Sequence, residues 1–183
     1  MMLIASVRRK TSLVAYNLGL LAGGVIVGAG LAVATSLLRP PLPAAWGLAF
    51  VSLACVVALA HELDLVTVPL PQNRRQVPIT VFRLGPFFGP LQFGIEMGTG
   101  MRTYVSSAVP YMLLCPILLF AGPWHAVTLG AGFGFGRAVM ATASVLSGDA
   151  GRWSRAWTAR QRALGTGFAV LVVTILGWTL LNA

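Results

Sequence analysis

This chain is poor in charge, in cysteine and in histidine, and each shortage removes a class of protein. Charged residues make up 9% of its 183 positions, against roughly 25% in ordinary soluble domains. Apolar residues make up 57%, above the usual range of about 45–50%, so there is too little polar surface to cover a water-facing particle. The two cysteines, Cys55 and Cys115, stand far apart and neither lies in a CxxC. That excludes a locally encoded dithiol, and apolar burial would dull each thiol. They would form a redox pair only if the fold brought them together. The two histidines, His61 and His125, lack HExxH or HxxxH spacing, so neither a metal nor any other cofactor is expected. His61, Glu62 and Asp64 do cluster, but they read as a solvated helix end beside Arg74 and Arg75. No serine or aspartyl reaction signature is present, which argues against an enzyme, and Asp149 after Gly148 reads as a turn residue.

What the chain does have is a patterned set of cations. Ten of its thirteen Lys and Arg fall in three clusters: Arg8, Arg9 and Lys10; Arg74, Arg75 and Arg83; Arg152, Arg155, Arg160 and Arg162. Apolar runs long enough to cross a bilayer separate them. The clusters are loop residues, so the net charge of +9 reflects orientation in a membrane and calls for no nucleic acid.

The expected fold is all-α, a polytopic transmembrane bundle in one integral membrane domain, 1–183. Five spans are expected at about 13–38, 44–66, 91–121, 125–146 and 163–181. The first is too long for a signal-peptide core of roughly 7–15 residues and leads into Arg39-Pro-Pro-Leu-Pro43, so it reads as a retained span. Placing the amino terminus inside and the carboxy terminus outside puts all three clusters, with the loop 69–90, on the cytoplasmic face of the cell membrane. Pro40, Pro41 and Pro43 break the chain between the first two spans, and Gly122-Pro123 breaks it between the third and fourth. The segment 149–162, with Trp153 and Trp157 one helical turn apart among arginines, reads as a short amphipathic helix at an anionic leaflet.

Glycines mark the helix contacts. Gly19-xxx-Gly23 and Gly24-xxx-Gly28 have the spacing that lets helices meet backbone to backbone, which makes the first span a packed helix and offers a route to homo- or hetero-oligomers. Gly130, Gly132, Gly134 and Gly136 recur at every second position, which a single helical stripe cannot do. That helix is either crowded on two faces or locally unwound.

The third run is interrupted by Gly94, Gly98, Gly100 and Pro110, as in broken helices that line cavities. Glu96, Arg102 and Arg137 lie inside apolar spans, where a charge costs about 2.5–3.5 kcal/mol on insertion scales and so needs a partner, water or a purpose. With Thr103, Ser106 and Ser107 they outline a candidate polar cavity. Glu96 would pair with Arg137 in a structural clamp, or the two arginines would receive an anionic group, or the charges would snorkel to the cytoplasmic interface.

The stretch from Gly94 to Pro110 resembles the glycine-rich, proline-broken helices of CcdA/DsbD-type membrane electron carriers. The residues Arg74-Arg-Gln-Val77 and Phe135-Gly-Arg137 also resemble small uncharacterised polytopic proteins of actinobacteria. The first resemblance implies a shared helical scaffold without thiol exchange: Tyr104 and Ser106 stand where that family's reactive cysteine is sought, and five spans do not divide into two inverted halves.

The functional expectation is a transporter-like protein or membrane carrier with a polar intramembrane cavity. The alternatives are a non-catalytic subunit or scaffold of a larger membrane complex, and a membrane-embedded thiol-redox protein or enzyme.

Overall fold

The structure is a computed structural model that describes residues 10–38, 44–63, 65–66, 78–100, 114, 117–120 and 122–181. Among these every regular element is helical. Helix α1 spans Lys10–Leu38 and α2 spans Ala44–Glu62. A 3₁₀ turn at Ile79–Leu84 leads into α3, Gly85–Gly98. Helix α4 covers Pro123–Leu146 and α5 covers Ala150–Leu181.

The helix ends follow local chemistry. Pro123 opens α4 with Gly122 extended before it, a position where the missing N–H is no loss. Gly148 adopts φ 70° between α4 and α5, and Asp149 Oδ1 accepts the N–H groups of Gly151 (2.9 Å) and Arg152 (3.0 Å). The residue read as a turn is thus the N-cap of α5.

Helix α3 begins inside the stretch assigned to the cytoplasmic loop, because Pro86 is at home in a first turn. It also contains Pro90, which has no N–H to give the carbonyl of Pro86. The buried Ser12 of α1 supplies the missing donor, with Oγ 2.9 Å from Pro86 O. At its far end α3 stops where glycine was expected to loosen it. Thr99 N–H closes on Ile95 O and Gly100 N–H on Met97 O, and Gly100 takes φ 68°, the left-handed geometry that ends helices. Residues 117–120 are helical again. The expected third span is therefore not one continuous helix among the described residues, and Pro110 lies outside them.

Packing centres on α1. Gly19 and Gly23 meet Leu91, Gly94, Ile95 and Gly98 of α3, while Gly24 and Gly28 meet Gly130, Gly134 and the Ala126–Val127 backbone of α4. At 100° per residue these two seams lie about 140° apart around α1. Residue numbers rise together along the α1–α3 contact and oppositely along the α1–α4 contact, so α3 is parallel to α1 and α4 antiparallel. The remaining face of α1 exposes Val14, Leu18, Ile26, Val33 and Leu37. Helices α2 and α5 form a second pair, with Val51, Cys55 and Ala58 buried against Ala169.

Two helical stretches, Thr11–Leu37 and Pro123–Leu146, are long and apolar enough to cross a membrane, and Trp46–His61 is a shorter apolar helix. Five spans are thus more than these lengths establish. The segment 149–162 is not a separate amphipathic helix either: from Ala150 it is the first part of the continuous α5.

Candidate functional site

The three helices joined by glycine hold a polar node between them. On α1, the Tyr16 ring stacks on Phe93 of α3 with centroids 5.7 Å apart and planes at 26°. Phe82 also packs on Phe93, with centroids 5.5 Å apart and planes at 40°. Tyr16 is this close to α3 because Gly94 and Gly19 let the backbones touch.

From α4, the Arg137 guanidinium lies 5.6 Å from the centroid of the Phe133 ring, within reach of the ring's negative face. It also interacts electrostatically with the Tyr16 phenol. Next to Tyr16, Asn17 Nδ2 donates to Thr142 Oγ1 at 2.7 Å, joining α1 to α4. Among the described residues the other half of that amide, Oδ1, is buried with no hydrogen-bond partner. Buried acceptors are usually satisfied, so the node offers an acceptor for a donor that the helices do not provide, next to a half-buried cation and a phenol.

The structure treats the expected site residues unequally. Arg137 is in the node. Glu96 lies on α3 three residues beyond Phe93, half-buried, with Oε1 accepting from Gln92 Nε2 at 3.4 Å. Arg102, Thr103, Ser106 and Ser107 lie outside the described residues, as does Cys115. Cys55 is buried in the α2–α5 core. His61 Nδ1 lies 3.2 Å from Val66 O, closing the turn after α2, and among the described residues no group of three His, Cys, Asp or Glu could hold a metal.

The glycine ladder of α4 resolves differently from either expectation. The helix is continuous, Gly130 and Gly134 are packed on α1, and Gly132 and Gly136 have open space where a side chain would go. Sequence reasoning missed Tyr16, Asn17 and Thr142 because it weighed only charges inside the spans. The adjacent Tyr16-Asn17 pair in an otherwise apolar stretch was the available signal.

Fold and site together define an all-helical protein whose central helix is clasped by two glycine seams around a tyrosine–arginine node. No described protein family matches the chain, and neither does any solved structure. Curated relatives do. The chain is similar to the methylamine utilization protein MauF of Paracoccus denitrificans, 31% identical over 176 residues, covering 86% of this chain and 60% of that protein. MauF of Methylorubrum extorquens is 32% identical over 124 residues, 67% of this chain and 43% of that protein. MauF of Paracoccus versutus is 32% identical over 126 residues, 67% and 44%. The chain thus spans about half the length of the curated relatives it matches.

These relatives correct two expectations. The CcdA/DsbD resemblance is overturned, because the homologous proteins are MauF proteins. The transporter or membrane-carrier reading falls with it, since those proteins are named for methylamine utilization and not for transport. Their names do not speak for the thiol-redox alternative.

Proposed function

We propose that this chain serves methylamine utilization as a multi-pass membrane protein, with the Tyr16–Asn17–Arg137–Thr142 node as its working part. The observation that carries the reading is the similarity to Paracoccus denitrificans MauF, which runs along 86% of the chain.

The membrane arrangement we propose is a single integral domain of five spans, with the amino terminus inside and the carboxy terminus outside. The relative directions of α1, α3 and α4 are those of the first, third and fourth spans in an alternating path. Trp46, Trp124 and Trp178 are exposed at the α2, α4 and α5 ends that this path puts outside, as in an interfacial aromatic belt. Arg83, Arg152, Arg155 and Arg160 are exposed at the opposite end. The third span begins with α3, which ends at Gly98. Lipid is its main partner, and the open Gly132–Gly136 face of α4 is available to a helix of a second copy or another protein. Glu96, on α3 three residues beyond Phe93, is proposed to belong to the same polar site, as are Arg102, Thr103, Ser106 and Ser107, which lie outside the described residues.

The role is tested by deleting the gene in its host. Growth on methylamine as sole nitrogen source is lost while growth on ammonium is kept; unchanged growth on methylamine would overturn the role. Topology is tested separately with alkaline phosphatase, active when fused after Ala183 and inactive when fused after Asn73.

A further inference from the structure

We infer that the part of α5 around Arg160 is a binding surface for anionic phospholipid headgroups, with Arg160 receiving a phosphate and Arg155 and Arg152 adding their positive field above it. The inference rests on the five-span reading and gives its inner surface a specific ligand.

Four observations carry it. Arg152, Arg155 and Arg160 are exposed along α5, while Trp153 and Trp157 between them are half-buried. Trp153, Trp157 and Arg160 follow the i, i+4, i+7 stripe of one helix face, whereas Arg152 and Arg155 lie about 100° and 160° around the helix from Trp153. Within the segment 149–162 positive charge outnumbers negative, because Asp149 is its only acid and its Oδ1 is occupied in capping the helix. The same helix continues without a break into its apolar part.

The last observation favours lipid over a soluble partner. Counting about 1.5 Å per residue, Arg160 stands about 4.5 Å from Ala163, where the apolar part begins. A headgroup layer is roughly 5–8 Å thick on each side of the hydrocarbon, so Arg160 falls inside it, whereas Arg155 and Arg152, about 12 and 16.5 Å from Ala163 by the same count, stand above it and act through their field. Further along, Ala169 is buried against Val51, Cys55 and Ala58 of α2. A headgroup held by Arg160 therefore sets the depth of the α2–α5 pair, which the glycine seams of α1 do not reach.

The test uses the full chain in nanodiscs of mixed phosphatidylglycerol and phosphatidylcholine, released gently for native mass spectrometry. Retained phosphatidylglycerol exceeds phosphatidylcholine by about tenfold or more. It falls about fivefold for R160Q, by less for R155Q and R152Q, and to parity with phosphatidylcholine in R152Q/R155Q/R160Q. R152K/R155K/R160K keeps most of it, and R83Q leaves it unchanged. Equal retention of the two lipids by the parent chain overturns the inference, as does undiminished retention by the triple Gln variant with parental helicity. Competition by glycerol 1-phosphate as strong as by the intact lipid replaces the lipid with a soluble phosphate. Release of the lipid by a soluble acidic protein of the host that then holds this surface replaces it with a protein. Labelling of T158C by an impermeant maleimide from outside the cell overturns the topology alone, since lipid retention is read without reference to side.

Discussion

Ser12 Oγ donates to Pro86 O at 2.9 Å, filling the place in the α3 ladder that the Pro90 nitrogen leaves empty. Removing the serine takes from the Pro86 carbonyl the donor that Pro90 cannot supply, at a cost of about 0.5–1.5 kcal/mol. Pro90→Ala gives α3 back its own donor. We therefore expect Ser12→Ala to lower thermal stability markedly in the parent chain and much less in a Pro90→Ala background, measured as a double-mutant cycle. Equal losses in both backgrounds would show that the two residues are not coupled.

The four glycines of α4 are expected to separate into two pairs. A methyl group on Gly130 would sit 2.7 Å from Gly28 Cα, whereas one on Gly132 or Gly136 meets nothing within 4 Å. Gly130→Ala is expected to destabilise by about 1–3 kcal/mol through forced separation of the backbones. Gly132→Ala should be neutral or stabilising by up to about 1 kcal/mol from helix propensity. Melting in detergent distinguishes the two.

Asn17 and Thr142 form an interhelical hydrogen bond while Asn17 Oδ1 goes unpaired among the described residues. Thr142→Val removes the partner and leaves the whole amide unsatisfied, so it should cost more than Asn17→Leu, which removes the orphan acceptor with the donor. Within a membrane the bond itself contributes only about 0.6 kcal/mol. Comparing the two melting temperatures tests the order, and the opposite order would mean that Asn17 Oδ1 has a partner in the working protein.

Arg137 lies over Phe133 and faces Tyr16. If the node is the working part, Arg137→Leu abolishes growth on methylamine with the protein still present in the membrane. Arg137→Lys restores it only in part, because an ammonium lacks the planar face that packs on a ring. Arg83→Leu, on the exposed 3₁₀ turn, leaves growth unchanged.

The all-helical class was legible in the sequence because composition and run length speak to it directly. So were the seams of α1, since Gly19-xxx-Gly23 and Gly24-xxx-Gly28 encode close approach by spacing alone. The end of α3 was legible as a weakness at Gly98 and Gly100, but its start was not: Pro86 and Pro90 look like loop residues until Ser12, 74 positions away, is seen to supply the donor. The resemblance to electron carriers misled because glycine-rich, proline-broken segments recur wherever helices pack closely.

By itself the sequence determined a helical chain with cations clustered between apolar runs and small residues at helix-contact spacing. These are properties of composition and period. Only the tertiary structure decided which glycines are used, because Gly130 and Gly132 are chemically identical and differ only in whether α1 lies against them. It also decided the site. Tyr16, Asn17, Phe93, Arg137 and Thr142 come from three helices, and contact between them depends on backbones that glycine allows to touch.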